Sequence, residues 1–213
     1  MVDTLSDAPR PAGLAARDDV ESALRDRGPA PLRFLGWNME EADLNGLDLH
    51  GCEFARCRGG HANFSSCNLT EARFLLCDLN NSKWRGTALS GALFQDCKLT
   101  GAQMAIANRL LPPTFERDLL INANLRGFSF RRARLDGIDF QDADLCETDF
   151  RDAVLIGCSL REANVTNARF EGADLRGADL GNIQIADASR FKGAIISKKQ
   201  AGQILGALGL KVV

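Results

Sequence analysis

The stretch Ala62-Asn63-Phe64-Ser65-Ser66-Cys67-Asn68-Leu69-Thr70-Glu71-Ala72-Arg73-Phe74-Leu75-Leu76 reads as three copies of one five-residue unit. A small residue opens each unit (Ala62, Cys67, Ala72) and a large apolar one stands two places later (Phe64, Leu69, Phe74). Working outward in steps of five, the large position runs from Phe34 to Met104 and again from Leu125 to Ile185. All but Gly59 of these 28 positions are apolar, and nine of the 12 Phe fall among them. A chain that is 45% hydrophobic would place only about 13 apolar residues there by chance. Two residues before each centre, 22 of 28 positions are Ala, Cys, Ser or Thr. Ala173-Asp174-Leu175-Arg176-Gly177 is the same unit near the far end.

A period of five fits neither a helix at 3.6 nor a strand at 2. It fits a chain that turns a corner every five residues, so that four sides close a square coil of about 20 residues. One large and one small side chain per side point inward and three point out. Coils stacked at about 4.8 Å, the strand spacing, give a rod roughly 35 Å long, a quasi-one-dimensional solenoid. Glycines such as Gly46, Gly51, Gly86, Gly127 and Gly177 fall where the corners need tight backbone.

The unit resembles the repeat of the pentapeptide-repeat family, Ala-(Asp/Asn)-Leu-x-x, over about Leu32 to Asp187. That resemblance implies an all-β solenoid, a right-handed quadrilateral β-helix. The organisation expected is an N-terminal extension over 1–31, a repeat body over 32–196 interrupted near 105–120, and a C-terminal segment over 197–213. The extension is unstructured chain or a short helix over Leu14 to Asp26, because it offers little to bury. It holds four basic and six acidic residues, so it carries the whole formal charge of -2 and leaves the rest balanced.

Met104 and Leu125 are 21 residues apart, one more than a coil. The segment Asn108, Arg109, Leu110, Leu111, Pro112, Pro113, Thr114, Phe115, Glu116, Arg117 and Asp118 therefore reads as an excursion: a one-residue bulge or a longer contact loop, although Phe115 and Leu120 fit the second register. After Asp187 the repeat fades. Ser197 is placed as a helix N-cap and Gly209 as its stop, with Ile204, Leu205 and Leu208 on an apolar stripe. This helix caps the last coil. The ending also resembles the C-termini of pentapeptide proteins that protect DNA gyrase from quinolones. The resemblance implies a homodimer through Ile204, Leu205, Leu208, Leu210, Val212 and Val213.

Seven Cys without a secretory signal point to the cytosol and to packing rather than disulfides. Six of them (Cys52, Cys57, Cys67, Cys77, Cys97, Cys158) take the small inward position, where a ladder in an apolar interior is no tetrahedral metal site. Cys146 alone takes an outward position and is a candidate reactive thiol. His50 and His61 point outward with no nucleophile beside them, and no phosphate-binding glycine loop is present. The chain reads as a binding protein, not an enzyme, with no metal or cofactor. No apolar run suits a membrane span, and the balanced charge argues against direct nucleic-acid binding through overall positive charge.

The period also sorts surface charge by side. Asp139, Asp142, Glu162 and Asp179 share one side, and Asp144, Glu147 and Asp187 the next, forming an acidic stripe. The side of Phe130, Phe150 and Phe170 carries Arg131, Arg132, Arg151 and Arg169. In topoisomerase-protecting relatives a negative rod of duplex width imitates DNA. The resemblance thus implies that this stripe, with the 108–118 loop, occupies the DNA site of a type II topoisomerase (DNA gyrase or topoisomerase IV) and guards it against a quinolone or natural-product poison. The competing expectation is a scaffold for a different protein partner.

Overall fold

The computed structural model describes residues 5–27, 30–104, 112–181, 188–207 and 209–211. In it the chain winds into a parallel β-solenoid of about seven turns followed by a short C-terminal helix, as the period of five predicts. One face of the coil is a parallel sheet whose strands stack in chain order: β1 (Ser6–Asp7), β2 (Leu32–Leu35), β3 (Glu53–Ala55), β4 (Arg73–Leu75), β5 (Leu93–Gln95), β6 (Thr114–Glu116), β7 (Arg134–Asp136), β8 (Val154–Ser159) and β9 (Asp174–Asp179). We call this the first face. The other three faces are held by single bridges between coils. The second runs Asn38, Arg58, Asp78, Lys98, Leu119, Asp139, Ser159. The third runs Asp43, Asn63, Lys83, Gln103, Asn124, Asp144, Asn164. The fourth has Asp48, Asn68, Ala88 and then Ser129, Asp149, Arg169.

Two local devices bend the chain. The residue two places after nearly every described centre adopts positive φ, as at Glu41 (58°), His61 (58°) and Asn81 (55°). That costs a side chain on the order of 1 kcal/mol, but each such N–H donates to the coil above, Glu41 to the Gly60 carbonyl and His61 to that of Asn80, both at 2.8 Å. At Gly181 (φ 54°) only glycine fits, since a Cβ would lie 2.8 Å from the Arg161 Cα. The second device is the Asp or Asn before the centre. Its Oδ1 accepts the backbone N–H two residues on, as from Asn63 to Ser65 (3.1 Å) and from Asp144 to Cys146 (3.1 Å). The repeat's acidic habit is therefore a turn-forming habit.

Large centres stack in columns inside. On the first face Phe34, Phe54, Phe74, Phe94 and Phe115 follow one another at ring separations of 4.9, 4.7, 4.8 and 5.1 Å. This is the interstrand spacing carried inward, and each ring removed from water contributes roughly 1.5–3 kcal/mol. Edge contacts tie the columns together, such as Phe74 to Trp84 at 5.4 Å. The lone exception among the centres, Gly59, is filled from the next coil: a Cβ there would meet Leu79 Cδ2 at 3.0 Å.

Both ends are covered. The N-terminal extension does not simply precede the rod. β1 pairs with β2, Leu14 bridges Asn38, and the helix α1 (Arg17–Arg27) buries Val20 and Ala23 against the first coil. At the other end Phe191 stacks on Phe170 (4.9 Å), and Leu175 and Ile195 pair across the coils. The repeat thus outlasts Asp187 by one more side, beyond a second point where the register gains one residue: Phe150 pairs 19 residues ahead, with Arg169, whereas Phe170 pairs 20 ahead, with Arg190. The helix α2 (Lys198–Ala207) follows. Ser197 and Gln200 cap it reciprocally, and the Gln200 amide donates to the carbonyls of Leu175 (2.7 Å) and Ala178 (2.8 Å), closing the last coil.

A candidate interaction surface

The register places the predicted acidic residues on two adjacent faces. Asp139 and Asp179 stand on the second face, Asp142 and Glu162 at its corner with the third, Asp144 on the third face, and Glu147 at the next corner. Asp187 lies outside the described residues.

The side chains form two groups. Asp139, Asp144 and Asp179 each accept a backbone N–H two residues on, from Gln141 (3.0 Å), Cys146 (3.1 Å) and Gly181 (3.0 Å). Asp144 also accepts from the Asn164 amide one coil further (3.1 Å). These carboxylates hold turns and present their remaining lone pairs outward. Asp142, Glu147 and Glu162 instead project from positive-φ corners and are exposed. Two cations sit within the flank: Arg126 donates to Glu147 at 2.7 Å, and Arg161 approaches Asp179 at 3.8 Å. All four partners are largely exposed, so such pairs contribute little to stability and are open to exchange with a partner.

The fourth face, across the rod from the second, has the opposite sign. Arg131, Arg151 and Lys192 follow its centres, Arg169 and Arg190 precede them, and Arg132 stands at the corner. Asp149, Asp152 and Glu171 are the carboxylates among them. Burial pushes the Asp149 carboxyl up, but the Arg151 guanidinium and backbone N–H outweigh it and hold that carboxyl below its ordinary range, and Arg169 pairs with Glu171 at 3.0 Å.

The expected contact loop is corrected in part. Asn108, Arg109, Leu110 and Leu111 lie outside the described residues. Thr114–Glu116 is strand β6, in register with β5, and Phe115 is a buried member of the aromatic column. Pro112, Pro113, Thr114, Phe115, Glu116, Arg117 and Asp118 are therefore not free loop: Pro113, Phe115 and Asp118 are buried, and Arg117 ion-pairs with Asp96 at 2.8 Å. Phe94 pairs with Phe115, so the interruption adds one residue to the coil and the register resumes. Asp118 takes the small inward position that Cys57, Cys77 and Cys97 hold in earlier coils. Its oxygens accept the N–H of Cys97 (2.7 Å) and Glu116 (2.9 Å), and burial pushes its carboxyl up to about 7.

The six inward cysteines are buried as expected, and burial raises the thiols of Cys67 and Cys158 to about 11. Cys57, Cys77 and Cys97 donate to the carbonyls of Phe34, Phe54 and Phe74 one coil back. Cys146 is also buried, at 5% exposure, which corrects its reading as an outward, candidate reactive thiol; in the same column one coil earlier, Arg126 donates to the neighbouring Glu147. His50 and His61 are exposed. Among the described residues no group of three His, Cys, Asp or Glu is placed to hold a metal, and no helix is long and apolar enough to cross a membrane. At the C-terminal end Leu205 and Leu210 are exposed while Ile204 packs on the core; Leu208, Val212 and Val213 lie outside the described residues.

Residues 33–104 match the family described as pentapeptide repeat region, and residues 119–152 and 153–188 match pentapeptide repeats (8 copies). No curated protein sequence matches the chain. Among solved structures, a trypsin-treated variant of QnrB1, a plasmid-mediated fluoroquinolone resistance protein, is similar with a TM-score of 0.77 and 21% identity over 98% of both chains. A second trypsin-treated variant gives 0.75 and 23%, covering 85% of this chain and 90% of that one. Full-length QnrB1 gives 0.51 and 22%, with 84% and 88% covered. At these identities the likeness is one of fold.

Proposed function

Because the chain belongs to the pentapeptide-repeat family, we propose that it is a cytoplasmic, DNA-mimicking protein that binds a type II topoisomerase, DNA gyrase or topoisomerase IV, and protects it from a poison such as a quinolone. The observation that carries the reading is the acidic flank. Asp139, Asp142, Asp144, Glu147, Glu162 and Asp179 line two adjacent faces across three coils, with Arg126 and Arg161 the cations among them in the described residues. Coils repeat at a regular axial step, so carboxylates recur along a straight rod much as phosphates recur along a duplex. Such a flank complements a basic DNA-binding saddle, steering encounter and selecting the partner. The similarity in fold to a fluoroquinolone resistance protein over nearly the whole chain supports the same reading. The exposed Leu205 and Leu210 support a homodimer through the C-terminal end.

The test is gyrase supercoiling and drug-induced cleavage in the presence of a fluoroquinolone, with and without the protein. Protection that weakens at least tenfold on reversing Asp142, Glu147 and Glu162 to Lys supports the flank. Unchanged drug sensitivity across low salt rejects the topoisomerase reading and leaves a scaffold for another protein partner.

A further inference from the structure

The sign of the whole chain conceals a rod polarised across its width. On the fourth face and its corner with the first, Arg131, Arg132, Arg151, Arg169 and Lys192 stand with Asp149, Asp152 and Glu171 among the described residues, an excess of two positive charges. Arg134, exposed on the adjoining edge of the first face, and Lys192 make no ion pair among the described residues. Arg131 and Arg132 share one carboxylate, Asp152, each at 3.8 Å.

The chemistry of the face selects the kind of partner. Its cations are nearly all arginine, whose planar fork suits phosphate oxygens. Among the described residues, its outward positions from Ser129 to Lys192 hold no exposed large hydrophobic residue; those on the rod lie elsewhere, such as Leu35, Leu76 and Leu119. A protein interface needs such an apolar anchor at its centre, and this face has none. The rings of Phe130, Phe150 and Phe170 are fully buried beneath it, so no aromatic is offered for stacking on unpaired bases. A flat, polar, arginine-rich strip with no apolar anchor and no ring matches a duplex backbone, read through charge alone.

We propose that this arginine strip is a contact for the phosphate backbone of duplex nucleic acid, on the side of the rod away from the acidic flank. It takes the duplex without sequence preference and is independent of any topoisomerase contact.

The experiment is fluorescence anisotropy of a labelled 20-base-pair DNA duplex titrated with the full chain from low to moderate salt. Two net cations predict a slope of log K against log salt of about -2. The triple variant Arg131→Glu/Arg134→Glu/Lys192→Glu is expected to lose at least tenfold in affinity at low salt. A control triple, Arg58→Glu/Arg126→Glu/Arg161→Glu, changes net charge equally elsewhere on the rod and is expected to stay within about twofold of the parent. Circular dichroism confirms that both remain folded. No binding at low salt overturns the proposal, as does an equal loss in the two triples, which would make the effect one of net charge. Equal affinity for polyglutamate also overturns it, by showing a surface for acidic protein instead.

Discussion

The carboxylate of Asp118 accepts the backbone N–H of Cys97 at 2.7 Å across one coil, from the inward position that a thiol fills in the three coils before it. An acidic group thus stands in an otherwise apolar column. Asp96 and Arg117 are the charges nearest to it, of opposite sign and paired with each other.

This placement sets a pH dependence. Burial raises the folded carboxyl to about 7, whereas the unfolded chain titrates near about 3.9. Between these values the folded state holds the extra proton, so its contribution is full below about 3.9 and is lost as pH rises through 7. Stability should fall by on the order of 1.4 kcal/mol per pH unit across that window from this group alone. Denaturant titrations at pH 5 and 7 should show the fall in the parent chain and a flatter profile in Asp118→Asn. Parallel profiles would remove Asp118 as the cause.

Gln200 offers a test at the far end. Its amide closes two carbonyls of the last coil and its oxygen caps Ser197, so Gln200→Leu leaves buried acceptors unpaired as well as breaking the cap. The cost expected is about 1–3 kcal/mol. Ser197→Ala removes only the cap and should cost about 1 kcal/mol. Urea midpoints of the two variants distinguish them, and equal midpoints would show that the contacts to Leu175 and Ala178 contribute nothing.

The acidic flank separates into turn-formers and corner charges, and the two respond to different substitutions. Asp144→Asn keeps an oxygen for the Cys146 N–H and should be nearly neutral in stability. Asp144→Ala loses that bond and the one from Asn164, and should cost about 1–2 kcal/mol. Glu147→Gln, at an exposed corner, should shift stability by no more than about 0.5 kcal/mol. Thermal melts rank the three, and an Asp144→Ala variant as stable as the parent would contradict the turn role.

The rod was legible in Phe34, Phe54 and Phe74 because a centre every five residues has one geometric solution, and the same arithmetic sorted surface charges by face. The flank's division was not legible: whether Asp144 forms a turn or stands free depends on an Oδ1-to-N–H geometry that the period does not carry. The cap at the start was missed because Val20 and Ala23 are too sparse to announce an apolar face, yet they suffice against an edge already built. Asp118 read as part of the excursion because the gap from Met104 to Leu125 holds one residue too many, and only the register of β6 shows that the coil resumes there. Cys146 read as outward because it falls off the small inward series, yet it is buried in the folded rod.

The α1 seal has a consequence for assembly. Parallel coils present an open row of hydrogen-bonding groups at each end, and a stack with two such ends is a template for filaments. Here β1 and α1 occupy one terminus of the rod. At the other terminus Gln200 and α2 close the last coil, so neither described end of the stack offers a free row to a second rod. A rod sealed in this way cannot add coils from another chain, so its length is set by the number of repeats in its own sequence.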